Sequence, residues 1–259
     1  MPSRAIFALL VLLSVTSVPA PADILFTDNT FVPANYNNFS ATPNLDLGVT
    51  AIYGQCITCG NPGQALEAIV SMPSPGGSFV GFLNNTFVYN PQTEGAILSL
   101  IASVDKDITL DRSTTDFASN FYPLIEQGGN FYIATIAGGT INSGTTTGYE
   151  TISQGLAATD FGLYDFGTTS VPNFYSNPDF SASGAPITFG LAPLVSANDA
   201  FTITVDYDNL SFDIVPSTQG GTTDSTVPEP SSLSLLSIFG MGLVLRGLGP
   251  AVRWKLKRH

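Results

Sequence analysis

From Phe201 to Val215 the chain alternates. Phe201, Ile203, Val205 and Tyr207 are separated by Thr202, Thr204 and Asp206, and Leu210, Phe212 and Ile214 by Ser211 and Asp213. A period of two puts every second residue on one face of an extended chain, as a half-buried strand requires. The two halves run into each other through Asp208-Asn209. No stretch between Asp23 and Pro216 carries a helical stripe of three or more turns; short apolar runs are separated instead by Gly, Thr, Ser, Asn and Pro. That pattern predicts an all-β body, about ten strands folded as a two-sheet β-sandwich of jelly-roll type.

The same reasoning places the other strands. Ile24-Leu25-Phe26 opens the body, and the proline-marked stretch from Phe31 to Asp46 reads as a long loop or edge segment. Strands are expected over Val49–Gln55, Leu66–Met72 and Ala96–Asp105, with another over Pro186–Leu191. Asn84-Asn85, between Ser78–Leu83 and Thr86–Tyr89, is expected to be a two-residue hairpin turn, because Asn tolerates positive φ. Gly128-Gly129 marks a second hairpin between Asn120–Ile125 and Phe131–Ile136. The Gly/Thr/Ser stretch from Gly138 to Gly155 reads as a loop, and Ala157–Pro186 as loop with short strands.

Charge divides the chain sharply. All twenty acidic residues lie between Asp23 and Glu229, accompanied there by only Lys106 and Arg112, a net charge of −18. Such a body does not neutralise phosphates, so nucleic acid is excluded as a partner. It would attract divalent cations. Aspartates gather at Asp105-Lys106-Asp107 and Asp206-Tyr207-Asp208. Asp206 and Asp208 are the candidates for an oxygen-only calcium site, against the alternative that both runs are solvated acidic turns. No other cofactor is expected.

Both ends of the chain carry export features. Met1-Pro2-Ser3-Arg4, the apolar run Ala5–Val15 and Ala20-Pro21-Ala22 read as a secretory signal peptide over residues 1–22. The sandwich ectodomain follows at 23–216, and a small polar linker at 217–226. From Ser231 to Val252 runs an apolar stretch of 22 residues, interrupted by Arg246 and followed by Arg253, Lys255, Lys257 and Arg258. As a helix it would be roughly 33 Å long, enough to cross a bilayer core. Arg246 can snorkel to an interface, and the basic end stays on the cytoplasmic side, leaving the acidic body outside.

The tail over 227–259 resembles the PEP-CTERM sorting signal: Val227-Pro228-Glu229-Pro230, then a short Gly/Leu-rich membrane helix, then a basic end. The same segment also goes by the name of an ice-binding protein C-terminal domain, which carries no implication of ice binding. The resemblance implies an exported protein of a Gram-negative bacterium that makes exopolysaccharide. It also implies anchorage in the inner membrane and recognition by an exosortase, which would cut near Pro228-Glu229-Pro230. Arg246 falls earlier than the basic cluster usually does. The body more weakly resembles lectin-like β-sandwiches found ahead of such signals, through Tyr89-Asn90-Pro91, Leu124–Tyr132 and Tyr207–Phe212.

Chemistry is sparse. The one histidine is His259, the last residue, so no Ser-His-Asp, Cys-His or histidine-ligated metal site is available to the body. Its glutamates, Glu67, Glu94, Glu126 and Glu150, are widely separated. No enzymatic activity is expected. Cys56-Ile57-Thr58-Cys59 has the spacing of a redox motif or half a zinc site. Gly60-Asn61-Pro62-Gly63 follows where a helix would be needed, and no second ligand pair exists, so a small disulfide in an oxidising compartment is the expected state. The body has no tryptophan. Tyr36, Tyr53, Tyr164, Tyr175 and Tyr207 are the residues with which it could stack on sugars. The sequence therefore points to a structural or adhesive role in the extracellular polysaccharide matrix; the alternative is a carbohydrate-binding module.

Overall fold

The computed structural model describes residues 22–40, 49–110, 117–134, 148–166 and 172–217. The signal peptide, the polar linker beyond Ser217, the sorting motif and the basic tail lie outside the described residues, as does Arg112. Among the described residues no helix is long and apolar enough to cross a membrane.

Among the described residues twelve strands form two six-stranded antiparallel sheets. The first sheet has β3 (Thr50–Gly60), β4 (Gly63–Met72), β12 (Phe201–Pro216), β6 (Ile97–Leu110) and β9 (Glu150–Leu156) side by side. β1 (Ile24–Asp28) joins them by pairing with β12. The second sheet runs β10 (Phe161–Tyr164), β8 (Asn130–Ala134), β7 (Phe117–Gln127), β11 (Ile187–Ala197), β5 (Gly76–Tyr89) and β2 (Tyr36–Ser40). The described helix is a single turn, α1 (Pro91–Glu94), capped by the Asn90 side chain.

The alternating stretch at 201–215 becomes the centre of the first sheet. β12 pairs with β6 along its length, while its other edge is shared by β4, opposite Phe201–Tyr207, and β1, opposite Leu210–Ile214. The changeover falls at Asp208-Asn209. There the register against β6 shifts by a bulge, and Asn209 takes φ 51°, a conformation Asn tolerates better than most residues. Ile203, Val205, Tyr207, Phe212 and Ile214 are fully buried between the sheets, against residues such as Phe121, Ile125, Phe189 and Leu191. Phe189 and Phe212 meet across the gap with ring centres 4.9 Å apart.

One charge enters that interior. Lys106 belongs to the inward-facing series of β6 and is fully buried. Its Nζ reaches across and donates to the Ser119 carbonyl of β7 at 2.8 Å. Burial lowers its pKa to about 8, and the Glu150 carboxylate opposes that shift.

Two expectations about local structure need correction. Asn84-Asn85 makes no turn: β5 is continuous from Gly76 to Tyr89. Between the pairs Leu83–Gly190 and Val88–Thr188 the strand carries extra residues as a bulge. The Asn84 side chain is recruited there, accepting from Thr86 N at 2.9 Å and Thr86 Oγ1 at 2.7 Å. Glu150–Gly155, read as the end of a loop, lies in β9, where pairing with β6 satisfies one edge of the backbone without any apolar run. The Gly128-Gly129 hairpin is present, with φ of 62° and 82° at its two central residues, as a two-residue hairpin turn with two left-handed positions requires.

Candidate functional site

Three places on the sandwich gather groups able to do chemistry or bind. The first is the outward face of the β4–β12–β6 strands. Glu67 stands directly opposite Asp206, and Asp206 directly opposite Asp107. Residues paired across antiparallel strands share a face, so three carboxylates form a row. Two positions along, Asp208 faces Asp105, and Asp105 faces Thr151. Residues distant in the sequence are thus assembled by strand register alone.

These carboxylates are not equivalent. Asp208 is fully buried, and its oxygens accept from Asn61 N at 2.6 Å and Asn209 N at 2.7 Å. Asp105 accepts from Thr151 Oγ1 at 2.5 Å and Asn209 Nδ2 at 2.8 Å. Asp206 keeps one buried oxygen, Oδ1, with no hydrogen-bond partner among the described residues. Burial, and then the negative charges of Glu67 and Asp107, push its pKa up to about 7. The Tyr149 hydroxyl sits above the group and donates to the Cys59 carbonyl. Burial and the surrounding aspartates, Asp206 first, hold its phenol above the usual range.

Cys56 and Cys59 form a disulfide at the end of the β3–β4 hairpin. Glu67 Oε2 lies 3.7 Å from Cys59 Sγ, but an oxidised sulfur has no proton to donate, so this is a contact and no hydrogen bond. Cys56, Cys59 and Glu67 also come close enough together to suggest a metal, yet the disulfide leaves no thiolate to ligate one. Asp206 and Asp208 occupy successive outward positions of β12, with the oxygens of Asp208 already held by backbone N–H groups.

The second place is an aromatic turn beside β10. Asn173 bridges Leu163, exchanging Asn173 N→Leu163 O at 2.8 Å and Leu163 N→Asn173 O at 3.0 Å. Ser176 N closes the turn onto Asn173 O at 3.2 Å, and the Asn173 side chain accepts from Tyr175 N at 3.1 Å. Asn177 Nδ2 ties the turn down, donating to Phe161 O at 2.6 Å. Phe174 and Tyr175 form the tip; Phe174 is 43% exposed and Tyr175 fully so. Of the five tyrosines considered for sugar stacking, Tyr207 and Tyr164 are buried and are removed from that role, because inward alternation and packing on the second sheet enclose them. Tyr36 and Tyr53 are half-buried. Phe174 was missed as a partner of Tyr175; the stretch Asn173-Phe174-Tyr175-Ser176 is the one local signal that could have marked it.

The third place is a cleft at the free edges of the two sheets, lined by Tyr36, Tyr53 and Phe82 among others.

No family model and no curated protein matches the chain. Among solved structures the sandwich is similar to a family 11 carbohydrate-binding module from Clostridium thermocellum, solved in complex with a β-1,3-1,4-mixed-linked tetrasaccharide. There identity is 11%, coverage is 78% of this chain and 100% of that one, and the TM-score is 0.41. It is also similar to the C-terminal family 22 module of Clostridium thermocellum Xyn10B, with 10% identity, 74% and 95% coverage and a TM-score of 0.38. For the CBM22-1 xylan-binding domain of Paenibacillus barcinonensis Xyn10C the figures are 9%, 70%, 95% and 0.33. Likeness at this level carries no argument about ligand or site; what defines the chain here is an all-β, two-sheet sandwich with its own surface chemistry.

Proposed function

We propose that this chain is an exported, non-enzymatic protein whose sandwich, of jelly-roll type, binds polysaccharide. The observation that carries the reading is Tyr175, fully exposed beside Phe174 on a turn held by the hydrogen bonds of Asn173, Ser176 and Asn177. A solvated aromatic pair is costly to display without a partner, and the C–H face of a sugar ring is a natural one. Because the turn is fixed before binding, little ordering entropy opposes the contact.

The sorting reading is a proposal of the same kind. It rests on Val227-Pro228-Glu229-Pro230, the apolar stretch after it and the basic end, which together suit a membrane-held precursor handed to an exosortase. Delivery to the surface of a cell that makes exopolysaccharide would put the sandwich among its ligands, with an adhesive role there.

Affinity electrophoresis of the purified protein in gels cast with neutral polysaccharides tests the binding reading. Retardation is expected, and Tyr175→Ala should weaken it by at least about fivefold without changing the unfolding temperature. Retention by no polysaccharide, or equal retention of the variant, overturns it. For the sorting proposal, mass spectrometry of the surface form should find Trp254 and the basic tail missing; their presence overturns the cut.

A further inference from the structure

At the edge of the sandwich, β2 ends one sheet and β3 ends the other. Between them opens a cleft of about 90 Å³ walled by Phe31, Tyr36, Tyr53, Leu66 and Phe82, with Asn38 and Gln55 as the amide-bearing residues of its lining. Asn38 is the register partner of Phe82, which places it on the cleft side of β2.

The walls are built to hold their shape. Asp28 is a buried carboxylate with five hydrogen bonds. Oδ1 accepts from Thr30 N at 2.7 Å, Thr30 Oγ1 at 2.8 Å and Phe31 N at 2.9 Å. Oδ2 accepts from Tyr36 OH at 2.8 Å and Asn84 Nδ2 at 3.2 Å. One carboxylate thereby positions both aromatic residues of one wall, whose rings stack 5.9 Å apart. Phe31 is held at φ 48°, where a bulky side chain costs on the order of 1–3 kcal/mol; strain of this kind persists only where surrounding bonds impose it, and it clusters at binding sites. On the other wall Tyr53 packs on Phe82 at 5.2 Å and its hydroxyl bonds Ser78 Oγ at 2.9 Å.

No Asp, Glu, Lys, Arg or His lines the cleft. Burial, with Asp28 beside it, keeps the Tyr36 phenol above the usual range, and burial pushes Tyr53 up to about 12, so both stay neutral at physiological pH. The occupant is therefore uncharged. The volume admits a group of a few heavy atoms, smaller than a sugar ring. A lone hydroxyl could bond the amides but would leave the aromatic walls uncovered, whereas a group with a methyl fills both parts of the cleft. Gln55 uses both amide protons, on Thr30 O at 2.6 Å and Gln64 Oε1 at 2.7 Å, so what it offers a ligand is its carbonyl oxygen. Asn38 can supply an amide donor. An apolar cap with one N–H and one C=O beside it is an acetamido group.

We propose that this cleft is a subsite for the acetamido group of an N-acetylhexosamine unit, with the methyl against the aromatic walls, the N–H toward Gln55 and the C=O toward Asn38. The inference rests on the polysaccharide reading and names a ligand class within it. Isothermal titration of the purified full-length protein in detergent, with chitotetraose and with cellotetraose as its acetamido-free counterpart, tests it. Chitotetraose should bind about tenfold more tightly or better. Asn38→Phe, at an exposed edge position, should fill the mouth and erase that preference, and Asn38→Ala should reduce it several-fold, with unfolding temperatures unchanged. Equal affinity for the two sugars, or a preference that survives Asn38→Phe, overturns the subsite while Tyr175-dependent retention leaves the polysaccharide reading standing. Loss of all glycan binding in the unaltered protein overturns both.

Discussion

The two sheets of this sandwich treat their outer faces in opposite ways. On the second sheet, Phe79, Leu83, Leu124, Ile133 and Tyr164 project outward, and Phe166 folds over them to make a second small core. The rings of Phe79 and Phe166 stack at 5.6 Å, and Tyr164 meets Phe166 edge-on at 4.9 Å. On the first sheet the outward series is Glu67, Asp206, Asp107 and Asp105, with exposed Ile52, Leu25 and Leu98 around it. One face has been closed with aromatic area; the other is left to water and charge. The contrast teaches that stability and surface chemistry are carried by different sheets, so substitutions on one face should change folding and on the other electrostatics.

The largest break in that division should come from Phe166→Ala. Removing a buried ring that touches Phe79, Phe131 and Tyr164 is expected to cost about 3–5 kcal/mol in denaturant unfolding. A loss under about 1 kcal/mol would mean that the second core is only a cover. Gly81→Ala probes the same contact from beneath. A Cβ there would lie 2.7 Å from the Phe166 ring and 3.0 Å from Leu124, so the ring must move, at about 1–3 kcal/mol. An unchanged midpoint would show that the ring shifts freely.

Across the molecule, Asp206→Asn should act on pH dependence. A carboxyl whose pKa rises on folding, here from 3.8 to about 7, keeps a proton in the folded chain that the unfolded chain gives up. The folded state is thus favoured at acid pH and loses that advantage as the pH climbs from about 4 to 7. The asparagine variant should flatten this slope and be more stable at neutral pH by about 1 kcal/mol, because solvent screens the half-exposed site. Identical slopes for both proteins would remove Asp206 as the source. The smallest effect is expected for Leu98→Ser: the side chain is 69% exposed, and stability should move by less than about 0.5 kcal/mol. A larger loss would place hidden packing on the open face.

How much of this could be read from the residues depends on what each feature needs. The alternation at 201–215 needs only neighbours in sequence and was enough to mark the strand, although Tyr207, kept as a sugar-stacking candidate, lies on its buried face. Gly128-Gly129 needs only a local backbone preference. Asn84-Asn85 has the same local preference, but Asp28 engages the Asn84 side chain from 56 positions away, and the strand runs on. The Glu67–Asp206–Asp107 row was invisible for the same reason: the glutamate is separated from its neighbours by whole strands, and pairing register has no signature along the chain. The cleft depends on one left-handed phenylalanine, a conformation no composition announces.

β12, described as the centre of the first sheet, also sets the order of assembly. Its partners are the first described strand and strands from the middle, while it is itself the last of the described strands to be made. A chain emerging from its N-terminus can form the β3–β4 and β7–β8 hairpins early, but the first sheet has no middle until residue 216 is free. β1 waits unpaired in this sheet for nearly the whole length of the domain. The long sequence separation predicts slow closure of this sheet.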